Sequence, residues 1–232
     1  SSNIPENNFV WTVVEDHINP NVLFIGTEFG MYFSMDAGAS WRKFNKVPTI
    51  PIRDLEIHEG EDDLVAASFG RGFYIVDDYS PIREYSRQID GLPAHLFSVK
   101  STYQYIVAAP EKTATGHNFF TSPNPPYGVK LSYYLGNSIL SKFEERQNEE
   151  LNKFNKGETI DYPTAKKLED EAKEKTPKIY LTISDSDGKV VRRISSNKNK
   201  GYHEKYWDLR TFSQRNIDAV SYTHLRAHET SP

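Results

Sequence analysis

The stretch Ser34-Met35-Asp36-Ala37-Gly38-Ala39-Ser40-Trp41, SMDAGASW, decides how this chain is read. It follows one apolar run, Gly30 to Met35, and leads into a shorter one, Ser40 to Phe44, so it sits where one expected β-strand turns into the next. Each fixed residue has a local task in such a turn. Asp36 can accept backbone N–H bonds across the corner, Gly38 can take a positive φ, and Trp41 can fold back to pack its ring beside the hairpin. None of these tasks is chemistry on a substrate.

Working outward, the segment WTVVEDHINPNVLFIGTEFGMYFSMD can be laid over IRDLEIHEGEDDLVAASFGRGFYIVDD at an offset of about 41 residues. Val14 then falls on Leu55, Leu23 on Leu64 and Gly26 on Ala67; after one inserted residue, Gly30 falls on Gly72 and Tyr32 on Tyr74. Each copy reads as three short strands. They are Val10 to His17, Val22 to Gly26 and Gly30 to Met35 in the first copy, and Arg53 to His58, Asp63 to Ser68 and Gly72 to Asp77 in the second. A period of roughly 40 with several strands per unit is the pattern of a β-propeller blade, a small sheet that buries its faces by stacking on its neighbours. Residues 1–78 are therefore expected to be two blades. Two cannot close a ring, and the period is lost after Asp78, so further blades are expected upstream.

Composition agrees with a β-rich fold, since 14 Tyr and 13 Phe suit pleated, half-buried strands. A net charge of −4 gives no basic face for nucleic acid, and no apolar run is long enough to insert in a membrane. The absence of cysteine removes disulfides, thiolate metal sites and a cysteine nucleophile. The opening SSNIPENNF lacks the pattern of a signal peptide, although it also lacks a methionine, which leaves room for a targeting segment ahead of it.

Residues 79–126 are rich in proline and short apolar runs and read as a linker, with SPIREYS as one helical turn and AHLFSVKSTYQYIV as an extended connection. Within 127–218, Gly128 to Leu135, Lys178 to Asp185, Lys189 to Ile194 and His203 to Leu209 read as strands of an immunoglobulin-like β-sandwich. Asp187-Gly188 supplies a two-residue hairpin turn. The Glu- and Lys-rich insertion 138–176 reads as a helical hairpin. Ile139, Phe143, Leu151 and Phe154 share a face of its first helix, Gly157 ends that helix, and Pro163 sits in the first turn of a second one that stops before Pro177.

SMDAGASW matches the Asp box, Ser/Thr-x-Asp-x-Gly-x-x-Trp, at every defined position: Ser34, Asp36, Gly38 and Trp41. Together with GTEFGMYFSMDAGASW and the exit FGRGFYIVDDYSPIRE, it resembles the closing part of bacterial, Bacteroidetes-type sortilin-like propellers with BNR repeats. PNPPYGVKLSYYL, KIYLTISDSDGKVVRRI and YWDLR resemble the sandwich module that follows such propellers, so the likeness spans nearly all of residues 9–218. It implies a mainly β fold: a partial propeller of two blades, then a truncated immunoglobulin-like sandwich with an inserted helical hairpin. It also implies an extracellular, periplasmic or cell-envelope location and a non-enzymatic role in binding a protein, peptide or glycan. The alternative is a sialidase-like glycoside hydrolase whose active centre lies mostly in upstream blades. Residues 219–232 follow neither pattern, and Ala219 to Thr230 resemble a sequencing adaptor translated in frame. They are expected to be an artefactual, disordered tail, which strips His224 and His228 of interest as metal ligands.

Sialidase chemistry needs a Tyr nucleophile, a Glu partner and arginines for a substrate carboxylate. Arg53, Asp54, Glu56, Arg71 and Tyr74 are the candidates, and nothing in their spacing makes them converge. Arg53, Arg71 and Tyr74 are taken as binding residues. Gly70-Arg71-Gly72 lets the guanidinium project toward an anion, against a structural reading in which Arg71 pairs with Asp77 or Asp78. DSDG, Asp185 to Gly188, lacks the later Glu of a calcium loop and reads as a turn. EGEDD, Glu59 to Asp63, reads as a solvated connection. His17, His58, His95, His117 and His203 share no metal-ligand spacing. No catalytic residue, cofactor or metal is assigned.

Overall fold

A computed structural model describes residues 3–85, 87–106 and 122–212. His117 and residues 219–232 lie outside these. The described chain is mainly β and falls into two compact units.

The first unit holds the residues through Leu140 together with Lys198–Tyr206. Its first sheet runs β1 (Val10–Glu15), β2 (Leu23–Thr27), β3 (Gly30–Ser34) and β4 (Arg42–Lys43) in that order, every pair antiparallel. Alternation along these strands gives it two apolar faces. Phe24 and Met31 belong to one, while Ile25, Tyr32 and Trp41 form a smaller cluster on the other. A second antiparallel sheet, β5 (Ile52–His58), β6 (Asp63–Ser68) and β7 (Phe73–Val76), presents Ile52, Leu55, Ile57 and Leu64 to the Phe24 face. The seven strands fall close to the spans expected from the repeat; only β4 is much shorter.

The sheets meet where β5 crosses β1 and β2. At Gly26 the space for a side chain is gone. A Cβ there would stand 2.8 Å from the Ile52 carbonyl oxygen, from Ile52 Cγ2 and from Thr12 Cγ2. Gly26 thus allows the close approach that buries Ile52 and Phe24 completely.

The stretch expected as a linker adds three elements of its own. Pro81, fixed in φ and lacking an N–H, opens α1 (Ser80–Glu84), α2 (Arg87–Asp90) follows, and β8 (Ala94–Leu96) pairs antiparallel with β9 (Val129–Leu135). Phe97, Ile89 and Tyr134 form the apolar cluster that ties this stretch down. The third sheet, ordered β12-β9-β8, is completed by β12 (Gly201–Trp207). Two of the four strands expected in one sandwich, β9 and β12, are therefore sheet neighbours here.

The second unit comprises Ser141–Asn197 and the residues from Trp207 onward. α3 (Lys142–Lys156) starts at a capping box, in which Ser141 Oγ accepts the Glu144 N–H while Glu144 accepts the Ser141 N–H. It ends at Gly157, whose φ of 71° is the left-handed cap. Because the box fixes the start at Ser141, Ile139 lies outside the helix whose face it was expected to share. α4 (Ala165–Lys173) is capped by the Thr164 hydroxyl, which places Pro163 ahead of the cap and outside the first turn. Arg146 bonds Glu171 through two nitrogens, at 2.7 and 2.9 Å, and joins the two helices.

The other strands here, β10 (Ile179–Ser184) and β11 (Val190–Ser196), form an antiparallel hairpin. Its connection has three residues, where two were expected. Asp185 and Lys189 pair across it, the Asp185 carboxylate accepts the Asp187 and Lys189 N–H groups, and Gly188 takes a φ of 77°.

Candidate functional site

The Asp box is a closed hydrogen-bonded corner between β3 and β4. Ser34, buried at the end of β3, donates Oγ–H to Asp36 Oδ1 (2.8 Å) and accepts the Gly38 N–H (2.9 Å). Asp36 Oδ1 also accepts the Ser40 N–H (2.7 Å), and Oδ2 accepts the Ser40 hydroxyl. Gly38 has φ 85°, and a Cβ there would lie 3.4 Å from the Trp41 ring, which packs with Ile25 and Tyr32. Both carboxylate oxygens are taken within the turn.

The three binding candidates have separate surroundings. Arg53 lays its guanidinium 3.6 Å from the centre of the Trp11 ring and 5.2 Å from that of Phe69, with Glu28 at 4.0 Å. Trp11 Nε1–H donates to the same Glu28 carboxylate (2.9 Å), so cation, ring and anion form one surface cluster. Tyr74 turns inward and packs against the core between the sheets. Arg71 is exposed in the β6–β7 hairpin, and the expected pairing with Asp77 or Asp78 is not made. Asp78 is instead flanked by Lys100 (3.3 Å) and Lys130 (3.7 Å), which leaves Arg71 with no ion pair among the described residues. Asp54 and Glu56 lie exposed on β5.

The strongest polar constellation is one the sequence did not announce. Asp16, just beyond β1, has a side chain with no exposed surface, and Arg83 of α1 grips it through Nε (2.7 Å) and Nη2 (2.6 Å). The same Nη2 donates to Asp62 Oδ1 (2.7 Å), in the β5–β6 connection. Tyr79 O–H (2.6 Å) and the Asn19 N–H (2.7 Å) complete the shell of Asp16. Lys100 stands 2.6 Å from Asp62, and His17 Nε2 stands 3.4 Å from it. The EGEDD connection, expected to be solvated, thus buries Asp62 as a structural anion. Burial alone would raise the Asp16 carboxyl, but bonds from Arg83, Tyr79 and Asn19 outweigh it and bring it down to about 2. Asp62 is lowered in the same way by Arg83 and Lys100 against its own burial. Tyr79 is pushed up by burial and by the Asp16 anion, and Arg83 is raised chiefly by its bonds to Asp16. Asp16 and Asp62 are thereby held as anions, Arg83 as a cation and Tyr79 as a neutral donor, each saturated by the others. The cluster is a clamp that fastens α1 to the first connection of each sheet.

Beside it, within the same unit, opens a cleft of about 530 Å³, in the size range of small-ligand and peptide sites. Tyr74, Ile75 and Val76 of β7 line it, followed by Asp77, Asp78 and Tyr79 just beyond the strand. Tyr202, Glu204 and Tyr206 line it too, at alternate positions of β12, so one face of that strand is presented. Glu204 is held by Lys46 (3.1 Å), Lys130 (3.3 Å) and the Tyr202 hydroxyl (3.0 Å). Burial would raise its carboxyl, yet the two lysines keep it below the usual range; burial raises the Tyr202 and Tyr206 hydroxyls. Glu204, Lys46, Lys130 and Asp78 are thus spent on one another, while Asp77, also in the lining, makes no ion pair among the described residues and has its carboxyl raised by burial and by the nearby Asp63.

Among the described residues no group of three or more His, Asp or Glu side chains is placed to hold a metal ion, and no helix is long and apolar enough to cross a membrane. Searches of protein-family models, of curated proteins and of solved structures found no match to this chain.

Proposed function

We propose that this chain is a non-enzymatic binding module. In this reading it carries two neighbouring blades of a BNR-repeat, sortilin-like β-propeller and an immunoglobulin-like module with a helical hairpin. It acts outside the cytoplasm or in the cell envelope, and it takes a protein, peptide or glycan. The observation that carries the binding role is the state of the polar groups. The Asp36 carboxylate is used up inside its own turn, the Asp16, Asp62 and Arg83 charges are saturated by one another, and Arg53, Arg71 and Tyr74 stand in three different environments. A reactive centre needs a set of free groups that converge, and an aromatic cleft whose Glu204, Lys46 and Lys130 charges are paired and whose Asp77 stands alone suits holding instead. The blade assignment is supported by the stacking of two repeat-related sheets with β1 and β5 in contact.

The test is an array of glycans and peptides probed with the purified chain, beside a turnover assay on aryl glycosides that include a sialoside. Binding without turnover is the expected result. Sialoside hydrolysis lost on Arg53→Ala or Glu56→Gln would replace this reading with the glycosidase one, and a blank array would leave only a structural spacer.

A further inference from the structure

The cleft of the first unit holds one carboxylate that no cation answers. Lys130 Nζ takes Asp77 by its main-chain carbonyl (3.0 Å) and leaves the carboxylate outside ion-pair range. The other charges of the lining are committed. Arg42 lies 3.8 Å from Asp90 and 5.3 Å from the centre of the Tyr85 ring. Lys43 pairs in the ladder with Tyr32, which belongs to the Trp41 face of its sheet, and donates its ammonium to Thr49 (2.8 Å). Across the connected clamp and cleft, the acids Asp16, Asp62, Asp77, Asp78 and Glu204 meet only the cations Arg83, Lys100, Lys130 and Lys46, so one negative charge is left over. It falls on Asp77.

That charge lies among rings. After burial, Glu204, Asp77 and Asp78 are what raise the Tyr206 hydroxyl, so the three acids converge on the Tyr206 end of the cleft. Tyr206 and Tyr74 line the cleft and stack on no other ring among the described residues. Arg42 over Tyr85 already shows a cation received on a ring of this lining. We propose that the cleft binds a small quaternary ammonium ion, its positive charge beside Asp77 and its methyl groups against the Tyr206 and Tyr74 rings. The choice of cation follows from hydration. A metal ion or a primary ammonium holds its water until several oxygens replace it, and a single carboxylate is free here. A methylated ammonium is weakly hydrated, and ring faces with one carboxylate suffice for it. A cleft of about 530 Å³ admits such an ion together with an apolar arm. The inference goes beyond the binding-module reading, because this ligand is neither protein, peptide nor glycan.

The experiment titrates the full chain by calorimetry with choline and with its neutral analogue, dimethylbutanol, in which carbon replaces the nitrogen so that the shape stays and the charge goes. Choline is expected to bind at least about tenfold more tightly than the alcohol. Asp77→Asn keeps the carbonyl that Lys130 uses and should weaken choline about tenfold or more while leaving the alcohol unchanged. Tyr206→Leu, which keeps apolar bulk and removes the ring face, should weaken choline about threefold or more, and Tyr206→Phe should keep it. Equal binding of choline and the alcohol overturns the proposal on the wild-type chain alone, even if a variant fails to fold. Choline binding that survives both Asp77→Asn and Tyr206→Leu overturns it as well, and so does no binding at all, the result if the chain's own residues fill the cleft. Either failure leaves the glycan and peptide array to decide the binding-module reading by itself. Sialoside turnover with choline binding intact would sink that reading alone.

Discussion

At the scale of single residues, the turn that contains Asp36 explains itself. Every partner of Ser34 and Asp36 named above lies within a few positions, so sequence spacing alone reveals the motif. Replacing Asp36 with Ala removes acceptors from the Ser40 N–H, the Ser40 hydroxyl and the Ser34 hydroxyl. Stability should fall by about 2 kcal/mol in urea unfolding, the scale for stranding half-buried donors. A loss within 0.5 kcal/mol would mean that water replaces the carboxylate and that the corner does not depend on it. Arg53 teaches the opposite lesson. Its residue type suited an anion, but its guanidinium lies over the Trp11 ring, near the Phe69 ring and Glu28, a set drawn from three strands or turns that no local pattern joins.

At the scale of elements, the strands were legible because their alternation and turn residues act locally. The alternation of Asp63 to Ser68 gives the observed bounds of β6, and the patterns of β10 and β11 come within two residues of theirs. The errors fall where side chains cap or anchor over a distance: the Ser141 box excludes Ile139 from its helix, and buried Phe97 fixes a stretch that composition marks as a connection. Sheet packing is likewise invisible locally, and Gly26 is its clearest case. Its alignment with Ala67 suggests that a methyl group is acceptable, yet the Ile52 carbonyl stands where that methyl would go. Gly26→Ala should therefore cost about 1–3 kcal/mol through forced separation of β2 and β5, the range for overpacking a tight core. Thermal unfolding of the variant against Ala67→Gly, which opens space on the second sheet's half-buried face, measures it. A Gly26→Ala protein as stable as the wild type would show that the sheets are free to slide apart.

At the scale of the whole molecule, the clamp at Arg83 decides how the first unit responds to acid, and its partners are far apart in the chain, 67 residues for Asp16 and 21 for Asp62. That separation is why the sequence shows two unremarkable aspartates and an arginine in place of a site. Removing one partner leaves a buried charge without its counter-ion, so Arg83→Met should lose about 3 kcal/mol or more in denaturant titration at pH 7. The pH dependence follows from Asp16. Its folded value of about 2 lies below the ordinary 3.8, so its contribution is complete above pH 4 and drains away as the pH falls toward 2. The gap corresponds to about 2 kcal/mol, and Asp62 and Glu204, also lowered, add to it with the same sign. Arg83→Met deletes the charge that holds Asp16 down, so its carboxyl retreats toward the unfolded value and the variant has less left to lose. Denaturation midpoints taken between pH 5 and pH 2 should fall steeply for the wild type and more gently for Arg83→Met, the two lines converging at the acid end. Parallel lines would show that the acid sensitivity arises elsewhere and that the clamp does not hold the two sheets together.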